Sequence, residues 1–448
     1  MTQPSRATVP VHGTRTATGP LTWGQQAIWA AILRTRPEDH YFNHARDHLL
    51  PPGLDTDAVL AALAALLARH EALRTRLLTL AEEPEQRVRA EGRFEVDLLD
   101  CAEEEAEQVA RSAAAAMTAR AFDYVAEWPL RVLLVRVDGR PRRAVLGFCH
   151  LAADGGAADV VLRDLDRLLA DPAALPEPAP QPLDLALRQA GPEGAARNAA
   201  AVEWWDAEYR RIPPSMFRTK VAPPAEPRFW TGRITSPALG PATAQLARSS
   251  RTGATAVLMA ACTGLVAEFT GEDLCALLPI VGNRFQAERR DLVSTLALEG
   301  LVVVPVDRTA TFTEQVRATW AASLKGYRHA EYDDRARDAM AAKVAADRGE
   351  TVHPYCCFND LRDTGAPARP GTAGRSGPVA LPEGPVVFDW PRKPEKVACR
   401  FCVHVVGGPE EFTVELTADT CYLPPADIER FLRALEARIV GSARQGLG

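Results

Sequence analysis

The chain has 448 residues, of which 47% are hydrophobic and 25% are charged, and its formal net charge at pH 7 is −6. This length and composition predict two or three domain-sized units with large apolar cores. The lack of a basic excess argues against nucleic acid as a partner. No apolar run reaches the roughly 20 residues that cross a bilayer, and the N-terminus lacks the apolar core of a signal peptide. We therefore expect a cytoplasmic protein without a membrane partner.

In chain order, the first part of the sequence predicts a flexible tail followed by an N-terminal lobe. Residues 1–19 are rich in Thr, Pro and Gly and show no apolar periodicity. Thr22 is a candidate N-cap for the first helix. Apolar spacing and turn residues predict helices at 21–34, 55–77 and about 102–119, strands at 130–138 and 142–150, and another helix after Asp154.

Prolines mark the border between two lobes. Those within 171–185 cannot continue a helix or a central strand. We therefore expect a Pro-rich linker at 176–194, between an N-terminal lobe at 20–175 and a C-terminal lobe at 195–448. Residues 364–386 have the low-complexity composition of a mobile surface loop.

The C-terminal lobe mixes helical and strand patterns without strict βαβ alternation. Helices are expected near 203–211, 253–269, 313–327 and 425–440, and strands near 228–234, 274–283, 298–307 and 409–419. The predicted fold class is therefore α/β of the α+β type, in two lobes.

The nine cysteines predict neither a disulfide framework nor a metal site. Their number is odd and they are scattered along a long chain, unlike those of secreted scaffolds. Cys356 with Cys357, and Cys399 with Cys402 followed by His404, lack the four ligands in paired spacing that structural zinc requires. We expect reduced thiols that pack as small apolar side chains.

The stretch FCHLAADGG, residues 148–156, places a histidine and an aspartate where a strand gives way to a helix. His150 is the residue type best suited to moving a proton near neutral pH. Asp154 can orient a partner or neutralise an arginine, and Gly155 and Gly156 allow close approach to the backbone. Taken alone, the pattern is more typical of satisfied polar residues at a turn than of a catalytic pair.

Several separated segments together resemble the condensation-domain superfamily of nonribosomal peptide synthetases, which shares its fold with chloramphenicol acetyltransferase. HLAADG at 150–155 resembles the family's HxxxDG core, ARHEALRTRL at 68–77 its RHExLRTxF segment, and LTWGQQAIW at 21–29 its opening LTxxQxxlW pattern. Residues 280–307 resemble the segment that crosses between lobes, and YCCFNDLRD at 355–363 the late strand with a site asparagine. These matches follow the family's order over nearly the whole chain.

The resemblance implies a V-shaped pair of chloramphenicol acetyltransferase-like lobes with an active-site tunnel between them. It implies that His150 is the active-site histidine and that Asp154 is a structural acid paired with Arg74. The residues expected along the substrate channel are Gly155, Gly156 and Asn359, which would offer N–H or amide donors to a developing oxyanion.

The implied activity joins an acyl or aminoacyl thioester to a small-molecule amine or alcohol, with no bound metal or redox cofactor. The donor would arrive on the 4'-phosphopantetheine arm of an acyl or peptidyl carrier protein, and the acceptor would be free or carrier-bound. Because the sequence shows no adenylation, carrier or thioesterase motif, we expect a free-standing enzyme of specialised metabolism. Two alternatives stay open: an acyl-CoA-dependent HxxxDG acyltransferase, and a non-catalytic module that recruits carrier proteins.

One position departs from the fuller family motif HHxxxDG, because Cys149 stands in place of the first histidine. Residues 149 and 150 of a strand face opposite sides, so Cys149 should pack as a small hydrophobe. A nucleophilic Cys149 is the alternative, although no second base is visible beside it.

Further polar and aromatic residues are assigned mainly structural duties. His70 is expected to be a satisfied structural histidine, and Arg284 to hold the crossover through a carboxylate or to be solvated. Asn359 is either a site residue or a cap at a strand end. The aromatic residues Trp204, Trp205 and Tyr209 are interpreted as packing.

Overall fold

The computed structural model describes residues 5–171, 180–362, 381–395, 397, 400–408 and 411–445. It divides the chain into two compact units. The first contains Met1–Asn198 together with Gly282–Leu298, and the second contains Ala199–Val281 and Glu299–Gly448. We call Gly282–Leu298 the crossover segment, because it belongs to the first unit although it lies far along the chain.

The first unit is built on a five-stranded sheet and a three-stranded sheet. Its strands are β1 (Ser5–His12), β2 (Ala17–Pro20), β3 (His44–Leu49), β4 (Thr75–Leu77), β5 (Glu85–Val88), β6 (Glu91–Asp100), β7 (Leu130–Val137) and β8 (Arg140–Phe148). Its helices are α1 (Trp23–Thr35), α2 (Thr56–Arg69), α3 (Ala106–Thr118), α4 (Gly155–Ala170), α5 (Pro182–Gln189) and the start of α6 (Pro192–Arg211). The larger sheet has the order β1-β6-β7-β8-β3, in which only the β6–β7 pair is parallel, and the smaller has the order β2-β5-β4.

Alternation along β7 and β8 explains why the larger sheet is covered on both faces. Leu134 and Leu146 point to one face and join the core that includes the leucines of α2 and the apolar side of α4. Leu133 and Val145 point to the other face and pack with residues of α3. The buried parts of these strands are therefore nearly continuous apolar runs, and β8 ends at Phe148, shortly before α4 begins.

The second unit is built on an eight-stranded sheet, larger than either sheet of the first unit, with helices packed against its apolar face. Its strands are β9 (Phe229–Thr235), β10 (Leu274–Val281), β11 (Leu298–Glu299, at the border), β12 (Val302–Pro305), β13 (Cys356–Asp360), β14 (Val387–Arg392), β15 (Phe401–Gly407) and β16 (Phe412–Asp419). Its helices are α7 (Leu239–Ser250), α8 (Ala254–Thr270), α10 (Phe312–Arg328), α11 (Asp334–Arg348) and α12 (Pro425–Gln445), while the short α9 (Ala287–Arg290) belongs to the crossover segment. The strands follow the order β10-β13-β15-β16-β9-β14, with β12 beside β10.

The predicted mixed α/β class is confirmed, whereas the flexible tail expected at 1–19 is wrong where the structure describes it, from residue 5 onwards. Residues 1–4 lie outside the described residues. Residues 5–12 form β1, which pairs with β6 along its whole length and buries Val9 and Val11. Pro10 is tolerated because β1 is an edge strand, where a missing N–H need not break a ladder. The alternating apolar residues were therefore the informative signal in a segment whose composition suggested a loose end.

The Pro-rich linker at 176–194 is also wrong where the structure describes it. Pro182 lies in the first turn of α5 and Pro192 begins α6, positions at which the missing N–H has no intrahelical partner to lose. Residues 172–179 lie outside the described residues, as does most of the predicted mobile loop at 364–386.

Two predicted elements end earlier than expected. The strand expected at 142–150 ends at Phe148, which leaves His150 in a turn. The helix expected at 55–77 ends at Arg69 and is followed by a 3-10 turn, Glu71–Arg74, and then β4.

Across the described part of the chain, no single helix has the length and apolar composition to cross a membrane; only α7 and α8 taken together do, with a 100° bend between them.

Candidate active site

The turn between β8 and α4 carries the candidate histidine. The carbonyl of Cys149 accepts hydrogen bonds from the N–H groups of Ala152 (2.9 Å) and Ala153 (3.2 Å), which closes a tight turn. Asp154 then adopts an extended backbone and caps α4, because its Oδ1 accepts from the N–H of Ala157 at 2.8 Å. The sequence therefore places His150 within a turn that is fixed at both ends.

His150 is half-buried and is held by a hydroxyl group. The Thr295 hydroxyl of the crossover segment donates to the His150 carbonyl oxygen, and Thr295 Oγ1 lies 3.4 Å from His150 Nδ1. Because the hydroxyl proton is engaged, Oγ1 can only accept from Nδ1–H. This arrangement favours the tautomer that leaves Nε2 with a free lone pair. Burial also lowers the pKa of His150, so the imidazole is neutral near pH 7.

Asp154 is buried and accepts hydrogen bonds at both oxygens. Oδ1 receives Arg284 Nη2 at 2.7 Å, and Oδ2 receives the N–H groups of Leu296 (2.9 Å) and Ala297 (3.2 Å). Burial alone would raise the pKa of Asp154, but the Arg284 charge and the N–H groups of Leu296 and Ala157 outweigh it and lower that pKa. Asp154 is therefore an ionised structural carboxylate.

Arg284 folds the crossover segment around its guanidinium group. Nη1 donates to the carbonyls of Leu292 (2.6 Å) and Arg289 (3.2 Å), and Nη2 donates to that of Ser294 (3.0 Å) as well as to Asp154. The predicted structural role of Arg284 is confirmed. The ion pair fixes the crossover segment to the N-terminus of α4, and with it the position of the Thr295 hydroxyl.

The predicted pairing of Asp154 with Arg74 is wrong. Arg74 Nη1 donates to the carbonyls of Arg15 (3.1 Å) and Arg89 (2.7 Å), and Nη2 lies 3.5 Å from Glu71 Oε1. Arg74 therefore holds the β1–β2 and β5–β6 connections, not the turn that carries His150. The error arose because the Arg74 segment and the HxxxDG segment both carry buried charges, and sequence alone does not show which of them meet.

The two glycines after Asp154 have different surroundings. A Cβ on Gly156 would lie 2.7 Å from Arg284 Nε, so this glycine leaves room for the arginine. A Cβ on Gly155 would lie 3.5 Å from Arg46 Nη2, an ordinary contact, and Gly155 is exposed. Their two N–H groups are the first of α4 and therefore have no intrahelical partners. Their place along a substrate channel stays a prediction.

Cys149 faces an apolar environment that differs from that of His150. It is 3% exposed and packs in a small cluster with Trp29, Tyr124 and Leu151. Burial raises the pKa of its thiol to about 12, which disfavours the thiolate that a nucleophile requires. The predicted packing of Cys149 as a small hydrophobe is confirmed.

His70 is tied to a second buried aspartate of α4. Its Nε2 lies 3.1 Å from Asp164 Oδ2, and Arg69 and Arg163 lie within 3.2 Å of the same carboxylate. The prediction of a satisfied structural histidine is confirmed.

The predicted packing roles in the second unit are confirmed as well. Trp205 and Tyr209 are fully buried in the core of that unit, with Trp204 packed against it. Asn359 lies half-buried on β13, directly opposite His404 of β15, and its role in a channel stays a prediction. Cys399 lies outside the described residues. Among the residues that the structure describes, no group of three or more His, Cys, Asp and Glu side chains could hold a metal ion.

Sequence reasoning missed two residues that contact the candidate histidine. Thr295 lies within the segment matched at 280–307, but nothing in that pattern marked its hydroxyl. His44 lies on β3, and its imidazole ring centroid is 5.7 Å from that of His150. Only the pairing of β3 with β8 brings His44 to this position, so no local signal could have identified it.

A family model described as the condensation domain matches residues 16–344, most of the chain. The chain belongs to the condensation-domain family. It is 27% identical over 405 residues to phosphinothricin tripeptide synthetase PhsB of Streptomyces viridochromogenes, covering 85% of this chain and 33% of PhsB. It is 24% identical over 360 residues to tyrocidine synthase 2 of Brevibacillus parabrevis, covering 74% of this chain and 10% of that protein. The chain thus spans a third or less of the length of these relatives.

Solved structures share the fold at lower sequence identity. A condensation domain that mediates chain release from the enacyloxin polyketide synthase superposes with a TM-score of 0.73 at 18% identity, covering 98% of this chain and 86% of that one. The epimerization domain from the third module of tyrocidine synthetase B gives 0.72 at 13% identity, with coverages of 97% and 99%. The X-domain from teicoplanin biosynthesis, solved in complex with OxyB, gives 0.66 at 18% identity, with coverages of 100% and 97%. These likenesses confirm the predicted mixed α/β fold of the condensation-domain type.

Proposed function

We propose that this chain catalyses the condensation of a carrier-bound acyl or aminoacyl thioester with an amine or alcohol acceptor in specialised metabolism. His150 is the base in this proposal. The observation that carries this proposal is how His150 is positioned. Thr295 contacts its Nδ1 atom and its backbone carbonyl, while Asp154 and Arg284 fix the turn and the crossover segment. Membership of the condensation-domain family and likeness to peptide synthetases support the reaction class.

In the first step, the acceptor nitrogen or oxygen attacks the thioester carbonyl while His150 Nε2 accepts its proton. A neutral imidazole with a free Nε2 lone pair is the form suited to this transfer. The carbonyl becomes a tetrahedral oxyanion, which N–H donors at the start of α4, near Gly155 and Gly156, would stabilise. Collapse breaks the carbon–sulfur bond, and the imidazolium returns the proton to the leaving thiolate. An amide or ester and a free carrier thiol result.

A non-catalytic role is the second candidate, because the X-domain complexed with OxyB has the same fold. In that case the chain would recruit a carrier protein or an enzyme without turning over a thioester. The engagement of His150 Nδ1 by Thr295 favours catalysis, since recruitment alone does not require a particular histidine tautomer. A third possibility, a donor taken directly from coenzyme A, uses the same groups and differs only in what presents the thioester.

Intact-mass spectrometry of acyl-loaded carrier proteins tests these possibilities. Each loaded carrier is incubated with mixed amines and alcohols and with the wild type, His150→Ala or His48→Leu. His48 is a matched control, because it lies on β3 and pairs with Asp166 at the surface. A parallel arm supplies the same acyl groups on coenzyme A.

We expect acceptor-dependent loss of the acyl group with wild type and His48→Leu, and a rate about 10²–10⁴-fold lower with His150→Ala. Equal rates for wild type and His150→Ala would refute the catalytic assignment. Carrier binding without any acyl loss would instead support recruitment, and turnover of acyl-CoA alone would support the coenzyme A donor.

A further inference from the structure

His44 occupies a position between the last residue of β8 and the candidate catalytic histidine. It lies directly opposite Phe148 in the β3–β8 register, and the two rings are stacked at 5.3 Å with an interplanar angle of 16°. Its other ring contact is with His150, edge to face, at 5.7 Å and 80°. One imidazole therefore contacts both the strand end and the side chain that follows it.

His44 also contacts the far side of the same turn. Its Nε2 lies 2.9 Å from the carbonyl oxygen of Ala153, the residue before Asp154. A carbonyl only accepts, so Nε2 carries the proton and donates it. The turn that presents His150 is therefore held by Thr295, by Asp154 and by His44, each from a different element.

The second nitrogen of His44 indicates that this histidine serves more than packing. Nδ1 is buried and has no hydrogen-bond partner within the described part of the chain. An unpaired buried polar atom destabilises a fold, and such atoms are rare enough to require an explanation. An apolar side chain could fill the same space without leaving that atom unpaired, but it could not donate to Ala153.

Burial favours the neutral form of His44. Burial is the largest influence, and with His150 and Arg46 it lowers the pKa of His44 to about 3, although the Asp154 carboxylate acts in the opposite direction. The imidazole therefore carries no positive charge beside His150 near neutral pH. Its influence on His150 is one of geometry.

We propose that His44 is a positioning residue that holds the turn bearing His150 and fixes the orientation of the His150 imidazole. Loss of the bond to Ala153 and of the edge-to-face contact lets that ring and its turn move. A displacement of about 1 Å at a reacting group can lower a rate by about 10²-fold. The effect on rate rests on the proposed function, whereas the effect on the His150 ring does not.

Two readouts test the proposal, and one of them does not need turnover. Protein labelled with ¹⁵N at histidine gives ring-nitrogen shifts that report the tautomer of each histidine, and His150→Ala identifies the His150 signals. The variants are His44→Leu, which removes the donor, His44→Gln, whose amide can still donate to Ala153, and the control His48→Leu. Melting temperatures confirm that each variant is folded.

In the wild type and His48→Leu we expect a single His150 tautomer with the proton on Nδ1. His44→Leu should give averaged or shifted His150 signals and a kcat lower by about 10–100-fold at little changed KM, and His44→Gln should recover most of both. Wild-type His150 signals in folded His44→Leu would overturn the proposal. A wild type without condensation activity would refute the proposed function but leave the ring-nitrogen test of His44 intact.

Discussion

His70 and His150 both lie near a buried aspartate of α4, but only His70 is bonded to its aspartate. The Nε2 atom of His70 is engaged by Asp164 at 3.1 Å. Asp154 instead binds Arg284 and backbone N–H groups, and His150 is held through Nδ1 by a hydroxyl. His70 is 4% exposed and its Nε2 atom is engaged by a carboxylate, whereas His150 is half-buried and is held at Nδ1, which leaves its Nε2 lone pair available. The partner thus separates the structural histidine from the candidate base.

Removing Asp154 should have the largest effect, because it leaves Arg284 buried without its carboxylate. We expect Asp154→Ala to lose about 3–5 kcal/mol of unfolding free energy and to accumulate little soluble protein. Urea unfolding checks this, with Asp159→Ala, an exposed aspartate of the same helix, as the control. Wild-type stability in Asp154→Ala would show that the crossover segment does not depend on this ion pair.

Removing the second carboxylate should cost less. In Asp164→Asn the amide oxygen can still accept from His70 and from Arg69, which is 13% exposed at its side chain, and Arg163, which is 39% exposed, can turn to water. We expect a loss of about 1–3 kcal/mol at pH 7, with condensation activity per folded molecule unchanged. A large loss of activity in fully folded Asp164→Asn would contradict a purely structural role for Asp164.

The same variant provides a test by pH. Burial alone would raise the pKa of Asp164, but His70 and Arg163 lower it to about 2, below its unfolded value near 4. Because the folded pKa is depressed, this stabilisation is fully present above about pH 4 and is lost as the pH falls towards 2. Unfolding free energies measured between pH 5 and 2 should therefore fall more steeply for wild type than for Asp164→Asn. Parallel curves would contradict the depressed pKa.

Thr295→Val tests the other half of the comparison, since it removes the hydroxyl that engages His150 Nδ1. The variant keeps the shape of the side chain, and one hydrogen bond is worth about 0.5–1.5 kcal/mol. We therefore expect kcat to fall by about 2–10-fold, with a folded protein. The control is Thr309→Val, at an exposed threonine. An unchanged kcat in Thr295→Val would show that the Thr295 hydroxyl does not contribute to turnover.

Several of these contacts were accessible from the sequence and others were not. The motif identified His150, Asp154 and their turn, because these residues lie close together along the chain. Arg284 was recognised as structural, but its partner lies 130 positions away and was missed, so Arg74 took its place in the prediction. His44 meets His150 only through strand register. Short-range chemistry was predictable, whereas pairings set by tertiary folding were not.

The smallest expected effect is that of Cys149, the residue next to His150 in sequence but in a different environment. Its buried thiol, with a pKa raised to about 12, packs beside Trp29 and Tyr124, and no role in proton transfer follows from that position. Cys149→Ala should therefore retain kcat within about twofold, while the lost sulfur costs about 1 kcal/mol of stability through a small cavity. Acyl-transfer rates corrected for folded protein provide the measurement. A large loss of kcat in a stable Cys149→Ala protein would support the alternative of a nucleophilic cysteine. It would mean that Cys149 in the apolar cluster, and not His150, performs the chemistry.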